Sequence, residues 1–288
     1  MPQTSDSRTL VHPSLSERVD ILGVPVSATT LDRACAQILR WAKKREARSV
    51  CVADVHSVMR ARTDPSHAAA LAQADMVTPD GKPLSLLARL RGARGMGQVC
   101  GPELMPLVCS RSAGHGVRHY FYGGAPGVAE ALAKKYRSQI EGIEIAGVEC
   151  PPFRELSAAE KAETVERIRA SGADIVWVGL GCPKQERWCA ENVAALGGAV
   201  VIGVGAAFDF ETGRVERAPK WMRQASLEWL HRLCSEPRRL WRRYLVLAPR
   251  FIALSIAESC VRWWSGLPLN GAHTTDATTA LAPASARS

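Results

Sequence analysis

The sequence predicts an α/β fold: a Rossmann-like, mostly parallel sheet with helices on both faces, followed by a basic helical appendage. Two segments predict the sheet. Ile175 to Trp188 reads I-V-W-V-G-L-G-C-P-K-Q-E-R-W, and Val200 to Phe210 reads V-V-I-G-V-G-A-A-F-D-F. Each opens as a short apolar, β-branched run and breaks at glycines, as a buried parallel strand does where it ends at a ligand crevice. A third observation predicts the appendage. Beyond Gly213, Arg214, Arg217, Lys220, Arg223, Arg232, Arg238, Arg239, Arg242, Arg243 and Arg250 crowd one region, interleaved with Trp221, Trp229, Trp241, Trp263 and Trp264.

The elements follow in chain order. Val19 to Val26 reads as a strand or short hairpin. Thr30 to Lys44 is an amphipathic helix with Leu31, Ala34, Ile38 and Trp41 on one face. Ser49 to Val55 is a strand, Ser66 to Ala74 a helix, and Met76 to Gly81 a strand end with a turn. Lys82 to Arg91 and Pro102 to Ala113 read as helices. His119 to Gly123 is a strand, Pro126 to Ser138 its following helix, and Ile143 to Val148 the next strand. Ala158 to Ala170 is a helix capped by Ser157. Strands that alternate with helices imply a parallel sheet covered on both faces. In the appendage, Pro237 suits the first turn of a helix, with Ser235 as its cap. The longest apolar stretch, Tyr244 to Ala257, is broken by Pro249 and Arg250 and falls short of the ~20 residues of a membrane helix. The expected division is a disordered 1–16, a core at 17–213, an appendage at 214–268 and a disordered tail at 269–288.

The bulk numbers narrow the classes. A chain of 288 residues with 47% apolar content can bury a large core. The net charge of +9 asks for an anionic partner: a phosphate-bearing ligand, nucleic acid or an anionic membrane. Nine scattered cysteines form no C-x-x-C pair. They suggest neither zinc nor a disulfide framework but reduced, buried thiols in a cytosolic protein. The polar N-terminus gives no sign of a signal peptide.

Several motifs could carry chemistry. Phe121 to Gly127 followed by Val128 to Tyr136 is strand, glycine turn and helix, a place where backbone N–H groups can approach a pyrophosphate. It matches neither G-x-G-x-x-G nor the P-loop pattern, and a tight packing turn explains it equally well. Val77 to Gly81 contains Pro-Asp-Gly, a common turn, but Asp80 at a strand end could also act as a general base toward a hydroxyl. Asp54 and His56 stand in a similar position. Asp209 and Glu211 resemble a metal-binding D-x-D, yet no third ligand is near, so Asp209 is expected to make a hydrogen bond and Glu211 to be solvated. Cys182 lacks a paired histidine in the sequence and is discounted as a nucleophile. The mixture of Arg, Trp and Leu without a spanning helix favours a peripheral interfacial segment over a nucleic-acid surface.

Seven blocks occur together: Thr78 to Gly81 (T-P-D-G); Gly101 to Met105 (G-P-E-L-M); Tyr122 to Gly124 (Y-G-G); Val178 to Glu186 (V-G-L-G-C-P-K-Q-E); Gly203 to Phe210 (G-V-G-A-A-F-D-F); Arg217 to Trp221 (R-A-P-K-W); and Leu227 to Leu230 continuing through Glu236 to Arg239 and Arg242 to Leu245. In this order they resemble the WecG/TagA/CpsF glycosyltransferases, glycosyltransferase family 26, over roughly Val19 to Leu247. The resemblance implies an inverting transferase at the cytoplasmic face of the membrane, peripherally attached. It would move a sugar from a UDP-sugar, of N-acetylmannosamine type or a hexose, onto a polyprenyl-diphosphate-linked acceptor in cell-surface polysaccharide biosynthesis, forming a β-linkage. No metal, no cofactor and no nucleic acid are implied; a homo-oligomer is compatible.

By the same resemblance Asp80 is the base and Gln185 lies at the active site. The implied substrate-binding set is Asp54, Thr78, Gly101, Gly123, Gly124, Gly181, Lys184, Glu186, Arg238, Arg239, Arg242 and Arg243. Where the family has Thr-x-Asn this chain has Val52 and Asp54, so a second carboxylate competes for the base role. Two rivals differ in class. A nucleotide-sugar epimerase or dehydrogenase would need NAD and a G-x-G-x-x-G at the first strand, which is not found. A basic membrane or nucleic-acid adaptor would explain the charge but not the polar strand ends.

Overall fold

The computed structural model describes residues 17–93 and 95–265, and the two predicted disordered ends lie outside them. The order is β1 (Arg18–Ile21), β2 (Val24–Ser27), α1 (Leu31–Lys44), β3 (Arg48–Ala53), α2 (Val55–Ala61), α3 (Pro65–Gln73), β4 (Met76–Pro79), α4 (Lys82–Leu90), α5 (Gly101–Ser112), β5 (Arg118–Gly123), α6 (Val128–Gln139), β6 (Glu144–Glu149), α7 (Ala158–Ala170), β7 (Ile175–Gly179), α8 (Lys184–Asn192), β8 (Val200–Gly203), α9 (Ala207–Glu211), α10 (Lys220–Gln224), α11 (Glu228–Ser235), α12 (Pro237–Trp241) and α13 (Ala248–Trp264). Six strands form one sheet in the order β4-β3-β8-β7-β5-β6. Every neighbouring pair in it is parallel, as predicted.

The period of two along the strands explains the layers. Ile175, Trp177, Val200 and Ile202 face one core with Phe121, Leu132 and Phe208. Their alternates Val176, Val178 and Val201 face the opposite core with Ile168 and Cys189. A third core joins the β1–β2 hairpin to Leu84 and Ala88 of α4 and to Phe251 of α13. Local signals set the element ends. Thr30 accepts the Arg33 N–H at the start of α1, and Ser157 with Glu160 forms a reciprocal capping box on α7.

Three local expectations are corrected. The strand predicted to reach Val55 stops at Ala53, because the Asp54 side chain accepts the Ser57 N–H and turns the chain into α2. Ser235 does not cap α12. Its hydroxyl donates to the His231 carbonyl one turn back in α11, and Glu236 takes the cap position. Pro249 does not end the C-terminal helix. Residues Arg242–Leu247 wind as a π-helix just before it. A proline lacks the N–H and crowds the carbonyl four residues earlier, and a wider turn relieves both effects. Pro237–Trp264 is thus one helix of 28 residues, by length and composition alone long and apolar enough to cross a membrane. One face of it is docked. Phe251 and Ser255 are buried, and Glu258 accepts from the buried Arg91 at 2.8 Å, which also donates to the Asp20 carbonyl in the hairpin.

Candidate active site

One cleft of about 1590 Å³ opens at the C-terminal ends of β3, β4, β7 and β8 and is covered by α11, the π-helical turns and α13. This is where open parallel sheets place ligands. Of the residues predicted from sequence, Asp54, Asp80, Gly181, Gln185, Glu186, Arg239, Arg242 and Arg243 line it.

Asp80 follows the last residue of β4. Its N–H donates to the Ala53 carbonyl at 2.7 Å, which ties it to the end of the neighbouring strand. Burial pushes its carboxyl up to about 7, and Glu228 and Glu103 push in the same direction while Arg232 and Arg217 oppose them. These four belong to one network. Arg217 lies 3.4 Å from both Glu103 and Glu228, and the Arg217 and Arg232 guanidiniums stand over the Phe210 ring at 5.9 and 5.3 Å. A carboxylate with this affinity is poised to take a proton near neutral pH.

Asp54 is differently engaged. One oxygen accepts the Ser57 N–H at 2.8 Å and the other pairs with Arg243. Both are committed, one to a helix cap and one to a guanidinium that the appendage delivers from far along the chain. His56 also lines the cleft, and burial lowers its proton affinity.

Gln185 is a brace. Its Oε1 accepts the N–H of Gly181 at 3.2 Å and of Gly205 at 2.9 Å, and its Nε2 donates to Glu186 at 3.0 Å. It joins the turns after β7 and β8 and so shapes the floor of the cleft that it lines. Beneath it, Glu186 and His67 are buried, with Glu186 Oε2 and His67 Nδ1 3.9 Å apart and neither hydrogen-bonded. Burial raises the Glu186 carboxyl and lowers the His67 imidazole, so both favour their neutral forms. Cys182 Sγ lies 3.9 Å from His67 Nε2. The histidine that the sequence did not pair with Cys182 is therefore present in space, yet burial pushes the thiol up to about 12 and keeps it a poor nucleophile. Among the described residues this trio is the one group of three ligand-bearing side chains close enough to hold a metal ion.

Six predicted binding residues do not line the cleft. Thr78 is fully buried and its hydroxyl donates to the Val99 carbonyl. Gly101 is needed for packing, since a Cβ there would lie 2.6 Å from the Val204 carbonyl oxygen. Gly123, at φ +116°, would meet the Gly179 backbone at 2.7 Å, and Gly124 abuts Val128 and Phe208. These glycines serve close strand and helix approach, the plainer of the two explanations offered for that turn. Lys184 instead stands over the Phe153 ring at 5.8 Å, and Arg238 lies outside the cleft wall. Glu211 is not solvated as expected, because Lys135 holds it at 3.0 Å with 15% of its side chain exposed. Asp209 meets Arg214 at 3.7 Å. Sequence reasoning missed His67, Glu228, Arg217 and Arg232 as site residues. Arg217 sits in the R-A-P-K-W block, Glu228 in the block from Leu227 to Leu230 and Arg232 in the basic cluster, where they could have been found; His67 carried no local signal.

Comparison with known proteins adds a second line. Residues 19–264 match the family described as Glycosyl transferase WecG/TagA/CpsF family. The chain is 31% identical over 192 residues to an N-acetylglucosaminyldiphosphoundecaprenol N-acetyl-beta-D-mannosaminyltransferase of Bacillus spizizenii, covering 67% of this chain and 72% of that one. It is 28% identical over 188 residues to the protein of the same name in Bacillus subtilis, covering 65% and 71%.

Proposed function

The chain belongs to the glycosyl transferase WecG/TagA/CpsF family, and from that premise we propose that it moves a sugar from a UDP-sugar onto a polyprenyl-diphosphate-linked acceptor at the inner face of the plasma membrane. Residues 17–213 form the catalytic core in this reading, and 214–268 the membrane-proximal appendage. The two relatives are named for transfer of N-acetylmannosamine to an N-acetylglucosaminyl-diphosphoundecaprenol, which makes that pair the first donor and acceptor to try.

The observation that carries the proposal is Asp80, a carboxylate in the cleft wall pushed up to about 7 and set under a roof of guanidiniums. In the reaction the acceptor hydroxyl loses its proton to Asp80 as its oxygen attacks the anomeric carbon. The bond from that carbon to the UDP oxygen breaks on the opposite face, which inverts the configuration and gives a β-linkage from an α-linked donor. UDP departs with the electron pair. Arg217, Arg232, Arg242 and Arg243 can balance diphosphate charge in a site partly shut off from water, where fixed donors act strongly. Gln185 is a positioning residue that holds the two strand-end turns in register. The commitment of both Asp54 oxygens supports Asp80 over Asp54 as the base.

The test is a panel of UDP-sugars with a lipid-diphosphate-linked N-acetylglucosamine, read as UDP release and as mass gain of the lipid. A matched gain and release with one donor is the expected outcome. UDP release without product, or no release with any donor, overturns the reading.

A further inference from the structure

The cleft continues outward from Asp80 as an apolar groove. Leu86 and Leu90 of α4 form one wall, and Ile252, Ile256, Cys260 and Trp263 of α13 the other. Leu86, Leu90, Ile252, Ile256 and Trp263 are 56–75% exposed although they face each other across one channel. Facing apolar walls left open in this way mark a ligand path.

Two ion pairs fix the direction of the groove. At the inner end Arg243 meets Asp54, beside the strand end that carries Asp80. At the outer end Arg91, just past α4, meets Glu258 on α13. Both walls therefore run outward together. The inner end adds Arg217 and Arg232, which act on the Asp80 carboxyl, whereas the outer end is lined by Ile256, Cys260 and Trp263, so the groove passes from a cationic end to a mainly apolar one. That polarity fits a hydrocarbon chain bearing a diphosphate at one terminus. The fifteen steps from Arg243 to Glu258 rise about 22 Å at most, at roughly 1.5 Å per α-helical step and slightly less through the π-helical turns. An extended isoprene unit, four carbon–carbon bonds of about 1.5 Å in zigzag, is about 5 Å long.

We propose that this groove binds the first isoprene units of the acceptor next to its diphosphate, about four of them, and leaves the rest of the chain in the bilayer. The choice of occupant rests on the transfer reading above. The geometry adds a length: the enzyme measures the head of the polyprenyl chain and is indifferent to its tail.

The unmodified chain contains the probes for a test. Cys260 is an exposed thiol at the outer end of the groove, and Cys234 is an exposed thiol outside it. Alkylation of both by a maleimide is followed by peptide mass spectrometry, with geranyl diphosphate (two units), geranylgeranyl diphosphate (four units) or hexadecyl phosphate present. Geranylgeranyl diphosphate at ten times its Kd is expected to slow labelling of Cys260 about tenfold and to leave Cys234 unchanged. Geranyl diphosphate is expected to leave both unchanged. Failure of the four-unit compound to protect Cys260, or equal slowing at Cys234, overturns the proposal. Equal protection by hexadecyl phosphate also overturns it, in favour of a general phospholipid site. The measurement needs neither donor nor turnover. Protection of Cys260 in a protein that transfers no sugar would therefore sink the transfer reading and keep the groove, and transfer without protection would do the reverse.

Discussion

Asp80 and Asp54 end neighbouring parallel strands, and their surroundings separate their work. Burial, reinforced by Glu228 and Glu103, pushes the Asp80 carboxyl up to about 7, while Asp54 caps α2 and pairs with Arg243. Asp80→Asn should cut turnover by about 10²-fold or more with UDP affinity retained, and Asp54→Asn should cost less. The reverse order of effects in steady-state assays would move the base to Asp54. A base must be ionised to act, so kcat/KM should climb with pH and level off above about 7. Glu228→Gln removes the nearby charge that raises the carboxyl most, so its acid limb should shift to lower pH; an unshifted profile would mean that Glu228 does not tune the base. Stability has the opposite sign. The folded carboxyl titrates near 7 against an ordinary 3.8, so its favourable contribution is complete below 3.8 and is lost as pH rises through 7. Asp80→Asn should therefore melt higher than the parent at pH 8 and show little gain at pH 4. An equal gain at both pH values would argue against a charge-burial cost.

At the scale of elements, the helix Pro237–Trp264 has two faces with two duties. Its inner face carries Phe251, Ser255 and Glu258 onto the core. Its outer face shows Val261 and Trp264 at 64 and 86% exposure. A basic segment with tryptophans at its surface suits the headgroup level of an anionic bilayer, where each cation contributes about 1 kcal/mol. Binding to anionic vesicles should fall with salt, since exposed charges are screened over about 8 Å at physiological ionic strength. Trp264→Ala combined with Val261→Ser should weaken vesicle binding and spare turnover on a soluble short-chain acceptor. Co-sedimentation measures the first and UDP release the second; undiminished sedimentation of the double variant would remove the membrane duty from this face.

For the whole molecule, the basic appendage closes over the carboxyl ends of the sheet, so core and appendage build the cleft jointly. Guanidiniums can then do the charge balancing that a divalent ion does elsewhere. Turnover should persist in EDTA. Loss of activity on chelation, restored by Mg²⁺ or Mn²⁺, would overturn the metal-free step and turn attention to His67, Cys182 and Glu186, the grouped ligands at the floor.

Local order was legible because it depends on short-range rules. The apolar run Ile175–Gly179 reads as a buried strand and Ser157 marks a helix start, while Pro-Asp-Gly at Asp80 reads first as a turn and becomes the proposed base only through the family resemblance. The family blocks carried the resemblance through the same stretches. Other features depended on residues far apart in the chain. Nothing near Asp54 foretells Arg243, which reaches it across 189 positions, and nothing near Cys182 foretells His67. Thr78 and Gly101 sit in functional-looking blocks, yet packing claims them. Pro249 read locally as a stop, but π-helical turns before it and docking of Phe251 and Glu258 after it carry the helix through. By itself the sequence determined the strands and most of the helices, because periodicity and capping are local, and its motif blocks named a catalytic candidate through the family they resemble. Only the tertiary structure decided which charges meet, which glycines serve packing, and that α4 and α13 enclose a groove, because those outcomes depend on burial and long-range pairing that no local window contains.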